Sequence, residues 1–254
     1  MRKLIFVLGM LLNAGAYAAF PAVASTTPST NDDTTSHVIS YPATVPAGAL
    51  VVVHFNCTNT GCNPTTPSGF TAIKASTNYT SGDFCGDASI FAKKAAGTEG
   101  GTTFTITSAQ AGADTSATLL QVITGWGGDA TITNDIVCST TFATTTGTVN
   151  PDPASVTATW GSADNLFIAT AFTCDDDSVA SVAPTNYSGL QTVQAGGGVN
   201  DGPAQHLATR QLASDADDPG TFTISINDVS YAGTCVVEPG SSGSSGLLLR
   251  RRRN

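Results

Sequence analysis

The chain has 254 residues, 41% hydrophobic and only 11% charged, with 19 acidic residues against 10 basic ones and a net charge of −9. The basic residues gather at the ends, Arg2, Lys3 and Arg250–Arg253, which leaves Lys74, Lys93, Lys94 and Arg210 to face all 19 acids. So acidic a body repels phosphate backbones, which argues against nucleic acid as a partner and suits divalent cations instead.

Arg2 and Lys3 precede an apolar run, Leu4–Leu12, and Ala16-Tyr17-Ala18 offers small residues for cleavage. This is the layout of a secretory signal peptide over residues 1–18, and the run is too short to span a bilayer. Residues 19–36 read as an extended lead-in rich in Ser, Thr and Pro.

Six strands are predicted next, in a first unit of residues 37–125: His37–Tyr41, Ala49–Cys57, Phe70–Ser76, Ala88–Lys94, Thr102–Thr107 and Ala117–Thr124. Val and Thr are frequent there, and branching at Cβ favours a pleated strand over a helix. Thr102–Thr107 sets Phe104 and Ile106 against threonines, the period of a half-buried strand. A connector, residues 126–153, holds Trp126 between glycines and a predicted strand at Asp135–Phe142.

The second unit, residues 154–239, repeats the order with Ser155–Trp160, Asn165–Cys174, Tyr187–Val193, Gln205–Leu212, Gly220–Ile226 and Tyr231–Val237. Ala49–Cys57 (ALVVVHFNC) returns as Leu166–Cys174 (LFIATAFTC), and Ala92–Ile106 returns as Ala208–Ile224, both ending in Thr-Phe-Thr-Ile. The offset is 117 from Cys57 to Cys174 and from Phe70 to Tyr187, and 118 from Phe104 to Phe222. Residues 240–254 form a Gly/Ser linker and a basic tail whose three leucines are too few to span a membrane. Short strands at regular spacing predict an all-β fold, an antiparallel, jelly-roll-like β-sandwich built from two tandem repeats. One sandwich over residues 37–239 is expected, because each unit has few large side chains to fill a core alone.

Six cysteines behind an export-like start favour disulfides, though six allow 15 pairings. Cys57 and Cys62 flank a short loop they could close, and Cys57 and Cys174 occupy matching places in the two copies. No Cys-x-x-Cys pair supports zinc or thioredoxin-like chemistry.

Catalytic signatures are missing. The three histidines, His37, His54 and His206, have no motif around them, and no Gly-x-Ser-x-Gly elbow occurs. Glu99 and Glu238, the only glutamates, lie in a turn and beside the linker, which is poor placement for a glycosidase pair. Trp126, Trp160, Tyr79, Tyr187 and Tyr231 are scattered, as core or rim packing would have them. Asp175, Asp176 and Asp177 are the sharpest acidic cluster, with Asp215, Asp217 and Asp218 a second. Such a loop could bind Ca²⁺, which takes six to eight oxygens, but neither cluster has the Asp-x-Asp-x-Asp-Gly pattern. A solvated loop is the plainer reading, so no cofactor is expected and Ca²⁺ is the single candidate.

Several phrases carry a resemblance: Phe20–Thr26, Thr35–Val38, Pro46–Leu50, Ala96–Gly100, Asn150–Ile168, Pro184–Ser188 and Asp218–Ile224. They are similar to uncharacterised all-β proteins of tailed phages and related bacterial sequences, over nearly the whole body. The resemblance implies a virion-associated or tail-related structural protein, and it brings no catalytic residues with it. The expected role is therefore non-enzymatic: a virion or extracellular β-sandwich that displays surface loops to other virion proteins or a host-surface ligand. A homo-oligomer stays open. The loops of interest are Thr58–Ser68, Thr77–Asp87, Asp175–Thr185 and Gly196–Pro203. The alternative is an exported bacterial adhesion or carbohydrate-binding module.

Overall fold

The structure is a computed structural model that describes residues 19–58, 61–79, 86–109, 114–175, 178–196 and 202–240. The signal-like segment, most of the C-terminal linker and tail, and Asp176 and Asp177 lie outside the described residues.

The first half contains β1 (Ala22–Thr34), β2 (Ser36–Ser40), β3 (Leu50–Cys57), β4 (Thr71–Asn78), β5 (Asp87–Lys94), β6 (Thr103–Thr107) and β7 (Asp114–Thr124). A four-residue helix, α1 (Ile132–Asp135), leads to β8 (Ile136–Cys138) and β9 (Ala143–Thr148). The second half contains β10 (Val156–Thr157), β11 (Ala163–Thr173), β12 (Ala180–Val182), β13 (Ser188–Gln194) and β14 (Ala204–Ser214). It closes with β15 (Ala216–Asp217), β16 (Thr223–Ile224) and β17 (Asp228–Val237).

Each repeat builds its own antiparallel sheet. The first has the order β1-β7-β3-β5-β4, and the second β13-β14-β11-β17-β8, with β9 also paired to β17. Read from β7 and from β17, the two orders are the same, so the duplication seen in sequence is a duplication of topology. The sheets do not interleave. They stack face to face over a central cluster fed by both, including Leu50, Val52, Ile90 and Leu119 from one and Leu166, Ile168, Leu207 and Val237 from the other. Among the described residues no sheet closes into a barrel.

Each sheet is also covered on its outer face. The β2–β6 pair lies over the first, where Ile39 and Ile106 join Val51, Val53 and Phe55 in a second cluster. Beyond the second sheet, β10, β12 and β16 bring Val156, Ala180 and Ile224 onto Phe167, Ala169 and Ala171. This explains the two most apolar runs. All eight residues of β3 are buried, as are Asn165–Thr173 of β11, because both faces of each strand meet protein. Phe104 packs against the first outer cluster and Phe222 is inside the second, so the repeated Thr-Phe-Thr-Ile phrase has one job in both copies.

The facing of the strands corrects the offset. Leu50 and Val52 share the central cluster with Leu166 and Ile168, while Val51, Val53 and Phe55 face outward like Phe167, Ala169 and Ala171. The structural offset along β3 is therefore one less than the 117 suggested by the matched cysteines. In a strand a one-residue slip exchanges the two faces. Cys57 consequently faces the outer cluster and Cys174 packs against the central one, so they are not equivalent positions.

Two segments depart from the sequence reading. The lead-in is a paired strand: β1 runs along β7 from Ala22↔Thr124 to Thr34↔Asp114. Its Pro28 is tolerated because β1 is an edge strand, where one side of the backbone needs no partner. The β1 side chains hold β2 as well, since Asn31 accepts from the Val38 amide (2.9 Å) and donates to the Val38 carbonyl (3.1 Å). The strand expected at Asp135–Phe142 breaks into the end of α1, the short β8 and a bend before β9. Short β8 places Cys138 opposite Cys235, and the two are bonded. Beyond β9's start, Gly233 has no side chain because the Phe142 ring occupies its place; a Cβ there would sit 2.2 Å from the ring.

Candidate functional site

The described ends of the four loops singled out in sequence lie at one end of the sandwich; residues 59–60, 80–85, 176–177 and 197–201 lie outside the described residues. Cys57 at the end of β3 lies beside Asp87, where β5 begins, and Ser116, near the start of β7. Thr173 at the end of β11 lies beside Ala204, where β14 begins, and Ser230, near the start of β17. A buried bolt shows that these two ends are the same end. Asn56 Nδ2 crosses between the sheets to donate to the Thr173 carbonyl (3.0 Å) and the Ala204 carbonyl (2.9 Å). Tyr79 OH donates to Asn56 Oδ1 at 2.7 Å. The Cys57–Cys62 disulfide closes the base of the first loop, and Cys174, at the base of the third, is disulfide-bonded too.

The predicted acidic site has a structural duty where it is described. Asp228 Oδ2 accepts the backbone amides of Cys174 and Asp175, each at 2.9 Å. Burial still pushes the Asp228 carboxyl up, to about 6, against those bonds. In the second acidic cluster Asp217 is engaged internally, pairing with Arg210 (2.9 Å) and accepting from Tyr187 OH (2.7 Å), while Asp215 and Asp218 are exposed. Glu99 staples its own turn by accepting from the amides of Ala96, Gly97 and Thr98 and pairing with Lys93 at 2.9 Å. Burial works to raise its pKa, but the Ala96 amide and Lys93 outweigh it and hold the carboxyl at about 2.

The histidines are buried and neutral. Desolvation lowers both His54 and His206 to about 3. His37 Nδ1 or Nε2, Cys62 Sγ and an Asp114 oxygen lie within 4.8 Å of one another, a spacing that would hold a metal. Cys62, however, is spent in its bond to Cys57. All four body cations have internal partners: Lys74 donates to the Thr140 carbonyl, Lys94 to that of Gly128, and Lys93 and Arg210 to carboxylates. Trp126 is buried, and its indole donates to the Gly48 carbonyl at 2.7 Å.

Two features escaped the sequence reading. Asp135 and Glu238 meet beside Asp129 in a small hollow lined also by Gly127 and Gly128. Burial, the hydrogen bond to Asp135 and the neighbouring charges of Asp135 and Asp129 raise Glu238 to about 7, so Glu238 keeps its proton up to near neutrality. The second feature is a cleft of about 540 Å³ at the seam between the sheets, with β1 and β13 as its walls and Gln121 and Leu166 in its floor. No short motif marks either, since both assemble residues from segments far apart in the chain.

No protein-family model, curated protein or solved structure matches the chain.

Proposed function

We propose that this protein is a non-enzymatic virion-associated structural or host-contact module whose rigid double sandwich presents a group of loops at one end. The observation that carries this reading is that the ends of β3, β11, β4 and β13 and the starts of β5 and β14 gather at the Asn56 bolt. Loops on a stiff scaffold are where binding is placed, because they vary without disturbing the core. The engagement of Glu99, Asp217, Asp228 and the three histidines in structural roles or neutral burial fits a protein that binds rather than catalyses. Disulfides fit an oxidising setting, whether a particle surface or the exported adhesion module that is the second reading.

The test is loop replacement. Fluorescently labelled protein is incubated with host cells, and variants carrying Gly/Ser sequences in place of residues 64–68 or 178–185 are compared. Loss of cell binding with an unchanged melting temperature supports the reading. Undiminished binding by both variants, or absence of the protein from purified particles by mass spectrometry, refutes it.

A further inference from the structure

We infer that the seam cleft binds a neutral, hydroxyl-rich ligand, a saccharide, at a site separate from the loop end. The cleft sits toward the opposite end of the sandwich: its wall Ala22–Thr26 pairs with the last residues of β7, whereas the loops leave near the first. Its volume falls within the range of about 300–1,000 Å³ typical of small-ligand sites.

Three observations define the ligand. Among the described residues, none of the lining side chains is ionisable, on a body with 19 acidic residues. A charged ligand would find no counter-charge there, and desolvating it would go uncompensated. The lining is instead amides and hydroxyls, Ser25, Thr26, Gln121, Gln191, Thr209 and Gln211, which together offer donors and acceptors in the mixture that sugar hydroxyls need. Val23 and Leu166 add an apolar patch for the C–H face of a ring.

Gln121 supplies the second, independent sign. It lies toward the end of β7 between Leu119 and Ile123, both in the central core, where a leucine would pack. Only 2% of it is exposed, it lies in the cleft floor, and its Oε1 has no partner among the described residues. The Ser25 hydroxyl in the wall is likewise buried and unpartnered. A buried acceptor left unpaired is destabilising, and a ligand hydroxyl donating to Gln121 Oε1 would satisfy it. Gln211 closes one end of the cleft by donating across the seam to the Pro21 carbonyl at 3.0 Å.

The experiment uses the full chain, ¹⁵N-labelled, titrated with neutral oligosaccharides (maltohexaose, cellohexaose, chitohexaose, xylohexaose) and with polygalacturonate as a charged comparator. At least one neutral oligosaccharide is expected to shift amide resonances of β1, β13 and β14 around the cleft. The rim variants Gln191→Ala and Thr209→Val are expected to weaken its binding about tenfold or more without lowering the melting temperature. Gln121→Leu should abolish it. The inference is overturned if none of the neutral oligosaccharides shifts cleft resonances up to about 10 mM, far above a useful affinity. It is also overturned if shifts map only to the loop end, or if the rim variants bind undiminished. These outcomes leave the loop-replacement test unaffected, so the two readings fail separately.

Discussion

Replacing Asn56 by alanine tests whether the two repeats stand or fall together. Its amide is the donor to two carbonyls of the second repeat, Thr173 and Ala204, and its carbonyl receives the Tyr79 hydroxyl. Truncation leaves the Ala204 carbonyl with the Thr173 hydroxyl at 3.3 Å and the Thr173 carbonyl with the Tyr79 hydroxyl at 3.4 Å, both long contacts. The Tyr79 hydroxyl loses its short bond outright, in a site where the tyrosine is only 2% exposed. An orphaned buried group costs about 1–3 kcal/mol, so with the two carbonyls partly rescued the total comes to about 3–5 kcal/mol. Urea unfolding followed by tryptophan fluorescence and far-ultraviolet circular dichroism reads this directly, because Trp126 and Trp160 belong to different parts of the chain. The expected result is one coincident transition at lower urea with an unchanged slope. The Tyr79→Phe, Asn56→Ala double variant should lose less than the sum of the single losses, since both remove one bond. A loss below about 1 kcal/mol, or two separated transitions in the native chain, would refute the argument that the seam joins the halves into one folding unit.

Three further outcomes follow from the same structure. Glu238 is held at about 7 and Asp228 at about 6, above ordinary values of 4.5 and 3.8, so the native state binds the extra protons. Their contribution is complete below the ordinary values and lost as pH rises through the folded ones, so calorimetry should find the melting temperature falling between about pH 4.5 and 7.5, and Glu238→Gln should flatten that fall. Glu99, held at about 2 against 4.5, acts in the opposite sense and contributes stability that disappears as pH drops across that window. Removing the Cys138–Cys235 bridge, which spans 97 residues, should cost about 4–5 kcal/mol by chain entropy, against about 2 for the five-residue Cys57–Cys62 loop; equal losses in denaturant titrations would contradict this. Gly233→Ala should destabilise by about 1–3 kcal/mol through collision with the Phe142 ring, and the penalty should shrink in a Phe142→Leu background.

Local chemistry in the sequence carries the strands themselves. Thr-Phe-Thr-Ile alternation, the all-apolar cores of β3 and β11 and the doubled order of elements depend on side-chain period and on turn residues, which are near neighbours in the chain. Strand β1 was legible only as a lead-in, because its Ser, Thr and Pro give no alternation; it is a strand because β7 offers it a free edge. Asp135–Phe142 failed for the converse reason. Its apolar residues looked like a strand, but Cys138 had to meet Cys235 and the Phe142 ring had to fill the space above Gly233, and both partners lie far along the chain.

Facing, convergence and the cleft belong to the tertiary structure. The sequence matched Cys57 with Cys174, yet which face each cysteine takes depends on how two sheets stack, and a slip of one residue reverses it. That four loops share an end is decided by Asn56 reaching across the seam, a bond between residues 117 and 148 positions apart. Gln121 carries no signal of its own in the sequence; only the approach of β1 and β13 around it turns its unpartnered Oε1 into part of a cleft floor. Period and composition act between neighbours and fix which segments extend, whereas sites are made by segments that meet only after the sheets have closed on each other.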